Sequence, residues 1–254
     1  MGEGQPGLFT RPPSVYHVGT SGWTYPHWRE VFYPAGLAQS HWLAFYAAHF
    51  DTVEINATFY RQFRDPAYPS WRRRAPERFT YVLKAPRSIT HERLLVDVGE
   101  EVQHFKASAR LLEDKLGAIL IQVAPATPFD PDRLDRALAA FDLPGQIAVE
   151  FRSDQWLVPA IRGLLERRQA IFVNVDSPIS RLAEPWVTTG AAYFRLHGRG
   201  SWYAYHYSAG ELDEIASHAR TAADRGAKQV YLFFNNDDKG SAPQNALALK
   251  KLLE

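Results

Sequence analysis

Eight short runs rich in β-branched and aromatic residues are spaced along almost the whole chain. Stretches with the 3.6-residue apolar period of an amphipathic helix separate them. Strands joined through helices pair in parallel, because each crossover returns the chain to the same end of the sheet. The runs predict eight parallel strands, at Tyr16–Thr20, Thr52–Asn56, Thr80–Lys84, Ala118–Val123, Ile147–Arg152, Ile171–Asp176, Ala192–His197 and Val230–Asn235.

Two architectures accommodate such a sheet, an open doubly wound sheet and a closed (β/α)8 barrel. An open sheet of the dinucleotide-binding kind carries G-x-G-x-x-G after its first strand, whereas the turn here reads GTSGWTYPHW. A length of 254 residues suits one barrel, and no linker or internal repeat divides the chain. We therefore expect an α/β fold with a single (β/α)8 barrel of the TIM type over residues 15–254, after a flexible tail at residues 1–14.

The composition excludes several classes of function. The chain has no cysteine, so disulfides, thiolate metal sites and cysteine nucleophiles are excluded. A net charge of +1 provides no protein-wide field for nucleic acid or an anionic membrane, so an anion site must be local. The chain start lacks a signal-peptide core, and no apolar stretch is long enough to cross a bilayer. These features predict a cytoplasmic protein without a membrane partner, and they leave the oligomeric state open.

Polar side chains gather at the carboxyl ends of the predicted strands, where barrels of this class have their sites. Side chains two residues apart on a strand share a face. Four strands end in polar pairs at that spacing, namely Glu54/Asn56, Glu150/Arg152, Asn174/Asp176 and Arg195/His197. The other strand ends add Lys84, Arg87, His91, Gln122, Asn235 and Asn236.

The charged members of this set form a predicted ring around the mouth of the barrel. For any single pair, a structural plug of hydrogen-bonded ions is an equally good explanation. Burying many charges costs more than apolar packing would, so the complete ring favours a functional site. The ring comprises Glu54, Lys84, Glu150, Arg152, Asp176, Arg195 and His197.

Aromatic residues follow several of the strands, and most of them suit a hydrophobic collar over the barrel. Tyr60, Trp202 and Tyr203 differ, because arginines flank them in the sequence, and we predict that they contact a ligand. Helix starts are predicted at Asp130, a cap followed by Pro131, and at Ser241, which fits a capping box with Gln244. Backbone N–H groups from Ser241 to Gln244, at the predicted start of the last helix, would suit an anion.

Six segments of the chain resemble the YecE-like family, a family of unknown function. They read GTSGWTYPHWREVFYP, VEINATFYRQF, KAPRSITH, VEFR, YFRLHGR and LFFNNDDKGSAPQNALAL, in the family's order. The resemblance implies a TIM-type barrel, places most of the strand-end residues in the family's motif set, and implies no established reaction. The chain departs from the family after VEFR, where Ser153 stands in place of the usual histidine.

Three functions follow from these residues. The first is an enzyme that performs acid–base chemistry on a small phosphate-bearing ligand, such as a sugar phosphate, a nucleotide or nucleic acid, without a cofactor. In it, Glu54, Glu150, Asp176 and His197 would be catalytic, with Glu150 or Glu54 as the general base and His197 as the general acid. The substrate would be bound by Asn56, Tyr60, Lys84, Arg87, His91, Gln122, Arg152, Arg195, Trp202, Tyr203, Asn235 and Asn236.

The second function is a divalent-metal-dependent isomerase or nuclease, similar to the xylose isomerase and endonuclease IV group. Glu54, Glu150, Asp176 and His197 would then hold Mg²⁺, Mn²⁺ or Zn²⁺. The lysine and arginines of the same ring count against this alternative, since they compete with a metal ion for the carboxylates. The third function is a non-catalytic nucleic-acid-binding protein, which the net charge near zero weakens.

Overall fold

The computed structural model describes residues 15–254, and the tail predicted at residues 1–14 lies outside the described residues. Eight parallel strands form one sheet in the order β1-β8-β7-β6-β5-β4-β3-β2, a nearly closed barrel. The strands are β1 Val15–Thr20, β2 Thr52–Ile55, β3 Thr80–Lys84, β4 Leu116–Val123, β5 Ile147–Phe151, β6 Ile171–Asp176, β7 Ala191–Leu196 and β8 Gln229–Phe234. The predicted (β/α)8 fold is confirmed, with strand bounds displaced by at most two residues.

Helices cover the outside of the barrel. The α-helices are α1 Trp42–Ala47, α2 Ala57–Tyr60, α3 Ala67–Arg74, α4 Gly99–Ala109, α5 Pro131–Phe141, α6 Pro159–Arg168, α7 Ala209–Asp224 and α8 Ser241–Leu253. Short helical turns lie at Pro26–Trp28, Gln39–His41, Ser88–Glu92, Arg110–Lys115 and Asp154–Trp156. Within residues 15–254, each helix is too short or too polar to pass through a membrane.

Helix starts follow the sequence signals at one position and depart from them at another. Asp130 caps α5 by accepting a hydrogen bond from the N–H of Arg133, and Pro131 occupies the first turn. Ser241 and Gln244, in contrast, form no capping box, because Gly240 in a left-handed conformation (φ 78°) is the N-cap of α8. The N–H of Ser241 is already bonded to the carbonyl of Asp238.

The strands bury both of their faces, as parallel strands in a barrel must. One face packs against the helices in a large apolar core. The other fills the barrel interior with a smaller cluster that includes Val82, Leu120, Val173, Tyr193 and Phe233. This interior cluster forms the floor beneath the polar residues at the carboxyl ends of the strands.

The barrel closes where β1 passes β2 without a ladder of hydrogen bonds between them. The backbones approach so closely there that a Cβ on Gly19 would lie 2.4 Å from the carbonyl oxygen of Thr52. The buried hydroxyl of Tyr46 bridges the gap, since it accepts from the N–H of Thr20 at 2.9 Å and donates to the Thr52 carbonyl at 3.0 Å. Glycine and tyrosine thus replace part of the missing ladder.

Candidate functional site

Arg195 lies at the centre of a buried polar cluster in the barrel mouth. Its side chain is 1% exposed, and both neighbouring glutamates are fully buried. Nε and Nη2 donate to the two carboxylate oxygens of Glu54 at 3.0 and 2.7 Å, and Nη1 donates to Glu150. The forked guanidinium suits this double contact, because its donors lie in one plane. Asn56 lies at the edge of the contact, with Oδ1 3.5 Å from Arg195 Nη2.

Glu150 extends the cluster to the next strands. Its Oε1 lies 2.5 Å from Arg152 Nε and accepts from Gln122 Nε2 at 3.1 Å. Arg152 in turn donates through Nη2 to His197 Nε2 at 3.2 Å. The other ring nitrogen of His197 lies 3.2 Å from the side-chain amide of Asn235. With Lys84, which bonds to Gln122, six of the seven residues predicted for the ring belong to one connected network. We call this network the mouth cluster, and its members are Glu54, Lys84, Glu150, Arg152, Arg195 and His197.

Lys84 joins the mouth cluster without a carboxylate partner. Its side chain donates to Gln122 Oε1 at 3.0 Å, and Nζ lies 4.0 Å from the centre of the Phe59 ring. Within residues 15–254, Nζ has no Asp or Glu oxygen within 4 Å. Burial, with Arg195 nearby, lowers the pKa of Lys84 to about 8.

The two glutamates are ionised in spite of their burial. Burial alone would raise the pKa of Glu54, but Arg195 and hydrogen bonds from Tyr193 and Ser21 lower it below the ordinary value. For Glu150, Arg195 and Arg152 outweigh burial and hold the pKa well below its usual range. The carboxylates are therefore anions near neutral pH and weak bases.

His197 is a neutral imidazole in this environment. Burial, reinforced by the charges of Arg195 and Arg152, lowers its pKa to about 4. Arg152 can only donate, so its contact requires Nε2 of His197 to accept, and Nε2 also lies 3.5 Å from Oε1 of Glu150. A general-acid role as an imidazolium, predicted from the sequence, does not fit this protonation state near neutral pH.

Trp202 and Tyr203 cover the polar cluster from the segment after β7. Both rings pack on His197, at 5.4 and 5.8 Å between centroids, and the Trp202 ring lies 4.8 Å from the guanidinium of Arg152. Tyr203 remains 47% exposed. Both predicted aromatic contacts are therefore placed at the entrance to the mouth.

Three other predicted residues lie at the rim. His91 packs edge-on against Phe59 at 4.9 Å, beside Lys84, and burial with the charges of Lys84 and Arg87 lowers its pKa. Arg87 is exposed and lies 3.5 Å from Glu92. Tyr60 is 74% exposed and contacts the outer edge of Phe59.

The prediction that Asp176 belongs to the ring is wrong, because its side chain does not face the mouth. Val173 and Val175 fill the barrel interior, so Asn174 and Asp176 face the opposite side of β6. The carboxylate of Asp176 accepts instead from Arg199 Nε at 2.8 Å and from the hydroxyl of Tyr207 at 2.9 Å. It anchors the segment after β7, and a catalytic role is not supported by this position.

Asn236, which was predicted to bind the substrate, also faces away from the mouth because of strand alternation. Phe233 lies in the barrel interior, so Asn235 faces the mouth and Asn236 faces away. The fully buried amide of Asn236 donates to the carbonyl of Tyr205 and to Asn245 Oδ1, each at 2.9 Å. It connects the segment after β7 with α8.

The metal alternative lacks the arrangement of ligands that it requires. The carboxylates of Glu54 and Glu150 are paired with arginines, and Asp176 faces away. In the described part of the chain, no group of three or more His, Cys, Asp or Glu residues could hold a metal ion. The donor set of the mouth therefore suits an anion better than a cation.

Two members of the site were missed by the sequence interpretation. Tyr193 donates to Glu54 Oε2 at 2.6 Å, and Ser21 donates to Oε1 at 2.7 Å. Tyr193 is two residues before Arg195, so strand alternation alone places both on the face that includes His197. Ser21 directly follows β1 and gave no comparable signal.

The fold and the mouth cluster define the class of this protein as a TIM-type barrel with a buried arginine–carboxylate network at the carboxyl ends of its strands. The family described as "Protein of unknown function DUF72" matches residues 17–254, so the chain belongs to the DUF72 family. This result confirms the resemblance to YecE-like proteins.

Relatives match over most of the chain. UPF0759 protein YunF of Bacillus subtilis (strain 168) is 26% identical, over 94% of this chain and 95% of its own length. UPF0759 protein YecE of Escherichia coli (strain K12) is 29% identical, over 56% of this chain and 50% of its own length. A crystal structure of a DUF72 family protein from Thermotoga maritima MSB8 has a TM-score of 0.86 and 32% identity, covering 94% of this chain and 99% of that one.

The low pKa of His197 predicts a stability that depends on pH. The unfolded histidine titrates near 6.5 and the folded one near 4, so the unfolded state binds more protons between these values. The contribution is present above pH 6.5 and is lost as pH falls toward 4, by about 3 kcal/mol. Glu54 and Glu150 add to this loss only below about pH 4.5, where the unfolded carboxylates protonate.

Urea unfolding at pH 7, 6, 5 and 4 measures this dependence. His197→Gln should make the curve shallower between pH 6.5 and 4, with the part due to the lowered pKa of His91 remaining. His218→Gln, a change in a partly exposed side chain on α7, should leave the curve as in the wild type. An equally steep curve in His197→Gln would assign the pH dependence to other groups.

Proposed function

We propose that this DUF72 protein is an enzyme that binds the phosphate group of a small ligand at the barrel mouth and acts on it by acid–base chemistry. The observation that carries the proposal is Lys84, a nearly buried cation with no carboxylate partner among residues 15–254. Burying an uncompensated charge is unfavourable, and a bound anion would compensate it. Near neutrality, Lys84, Arg152 and Arg195 supply three positive charges against two from Glu54 and Glu150.

The anion would contact the outer members of the cluster. Arg195 is an unsuitable ligand, because it is 1% exposed and its donors are directed at the two glutamates. Lys84 retains two N–H donors beyond its bond to Gln122, and Arg152 is 13% exposed. Arg195 and the glutamates then hold Arg152 and Gln122 in position from below.

In this proposal, the general acid and the general base are Lys84 and His91, because the pKa values of the two glutamates are too low for either role. A pKa of about 8 leaves both protonation states of Lys84 accessible. His91, half-buried next to the Phe59 ring, has a lowered pKa and is neutral at pH 7, as a general base must be. The predicted bases Glu54 and Glu150 serve in this proposal as fixed counter-charges.

Removal of the Lys84 charge provides the test. Phosphate present at 100 times its Kd would stabilise the wild type by about 2.7 kcal/mol, measured as a rise in melting temperature in the presence of EDTA. Lys84→Met should abolish this rise while its stability without phosphate stays equal or increases, because a desolvated charge has been removed.

Lys106→Met is the matched control. Lys106 is also nearly buried, but it donates to the carbonyl of Phe141 behind the barrel wall. This variant should lose stability and keep the full response to phosphate. A phosphate response that survives in Lys84→Met, or stabilisation by Mn²⁺ or Zn²⁺ alone, would contradict the proposal.

A further inference from the structure

A cavity of about 330 Å³ opens beside the mouth, between the ends of β5 and β6 and residues 177–186. Arg152 and Trp202 belong to its wall and also to the mouth, where Arg152 contacts Glu150 and Trp202 packs on His197. The cavity, which we call the β5–β6 cavity, therefore shares two wall residues with the mouth and adjoins the proposed phosphate site. Its volume is that of a small-molecule site.

The wall of the β5–β6 cavity is suited to an uncharged group. Its charged lining residues balance, with Arg152 and Arg181 against Asp154 and Glu184. A phosphate is thus favoured at Lys84 and disfavoured in the cavity. Apolar side chains remain open to solvent around it, since Leu157 is 41% and Ile179 is 74% exposed. Exposed apolar residues that line a concave site indicate a ligand with apolar surface.

Flat aromatic side chains shape the cavity. The rings of Phe172 and Trp186 lie 4.6 Å apart, and both are only partly buried. Asn174 fixes the backbone of Trp186, because its Oδ1 accepts from the N–H at 2.9 Å and its Nδ2 donates to the carbonyl at 3.3 Å. The aromatic wall is thus held in place before any ligand binds.

We infer that the β5–β6 cavity receives the uncharged planar ring of a phosphate ester whose phosphate contacts Lys84 and Arg152. The inference rests on the proposed function, because the phosphate fixes which end of the ligand faces the cavity. Ser153 lines the cavity, where its small side chain leaves room for the ring.

Binding of three phosphate esters separates the ring from the phosphate. We would measure Kd values for methyl phosphate, phenyl phosphate and ribose 5-phosphate by calorimetry in EDTA. Burial of the phenyl ring should lower the Kd at least about tenfold relative to methyl phosphate. Equal Kd values for these two, or a ribose ester that binds as tightly as the phenyl ester, would overturn the inference.

Variants locate the ring. Ser153→Phe should fill the cavity and remove the tenfold gain without weakening methyl phosphate. Trp186→Ala should also remove the tenfold gain, because it deletes part of the aromatic wall. Ser153→Phe is the more conservative of the two variants, since the Ser153 side chain makes no hydrogen bond within the described residues that the substitution would remove. Ser217→Phe, on the exposed face of α7, is the control that keeps the gain. A gain retained in Ser153→Phe would place the ring elsewhere.

If none of the three esters binds the wild type, the proposed phosphate site itself fails. If methyl phosphate binds and depends on Lys84, while phenyl phosphate binds no more tightly, only the cavity assignment fails. The two proposals are therefore tested separately by one set of measurements.

Discussion

Arg195→Met should destabilise the protein by about 3–5 kcal/mol, the largest effect expected for a single substitution in the barrel mouth. The methionine fills similar space but leaves Glu54 without its bidentate partner and Glu150 without one of its two arginines. Both carboxylates are fully buried, so water cannot replace the lost donors. Urea unfolding at pH 7 measures the loss.

The pH dependence identifies the cause of that loss. In Arg195→Met, burial without the guanidinium should raise the carboxyl pKa values, so the glutamates become neutral as pH falls. The difference in stability from wild type should therefore shrink between pH 7 and pH 4. A difference that stays constant would indicate lost packing in place of lost charge compensation.

Two other substitutions serve as comparisons for the loss of unfolding free energy in Arg195→Met. Arg195→Lys keeps one positive charge but not the planar fork, so an intermediate loss is expected. Arg162→Met removes an arginine of similar size whose ion pair with Glu166 lies on the surface, with both side chains nearly half exposed. Its cost should stay below about 1 kcal/mol.

The sequence predicted the architecture because each strand and helix has its own local signal. Apolar runs located all eight strands, and the cap at Asp130 located the start of α5. The start of α8 was predicted less well, since a left-handed Gly240 replaces the expected serine cap. A glycine cap depends on the backbone conformation of the preceding turn, which single residues do not reveal.

The faces of the strands were harder to predict. On β7, the alternation that places Arg195 with His197 is unambiguous, because leucine occupies the position between them. On β6, the run IFVNVD has apolar residues on both faces, since strands of a barrel are buried on both sides. Its terminal Asp176 was therefore placed in the mouth, although it faces the outside of the barrel and contacts Arg199 in the segment after β7.

The ion pairs within the mouth could not be predicted from the sequence. Arg195 contacts Glu54 across 141 residues and Glu150 across 45. These contacts depend on the relative positions of β2, β5 and β7 around the barrel, which no local pattern encodes. The absence of a carboxylate next to Lys84 in the described residues is likewise a consequence of tertiary structure, and it is the feature on which the proposed phosphate site rests.

Glu150→Gln should lower stability and at the same time strengthen phosphate binding. The amide is nearly isosteric but cannot neutralise Arg195 and Arg152, so the unfolding free energy should fall by about 2–3 kcal/mol. The charge of the mouth rises from +1 to +2, counting Lys84 as protonated and His197 as neutral. Coulomb attraction across the short distances of the mouth should then lower the Kd for phosphate on the order of tenfold.

Opposite effects on stability and affinity distinguish a binding site from a structural plug. In a plug, Glu150 would support only the fold, so Glu150→Gln would weaken stability and leave the phosphate Kd unchanged. Glu166→Gln neutralises an exposed carboxylate on α6 and should change neither quantity beyond about 0.5 kcal/mol. Urea unfolding and phosphate titration of the wild type, Glu150→Gln and Glu166→Gln therefore decide whether the excess positive charge of the mouth attracts a ligand. A lower phosphate Kd in Glu150→Gln alone would show that the anion binds close to that charge.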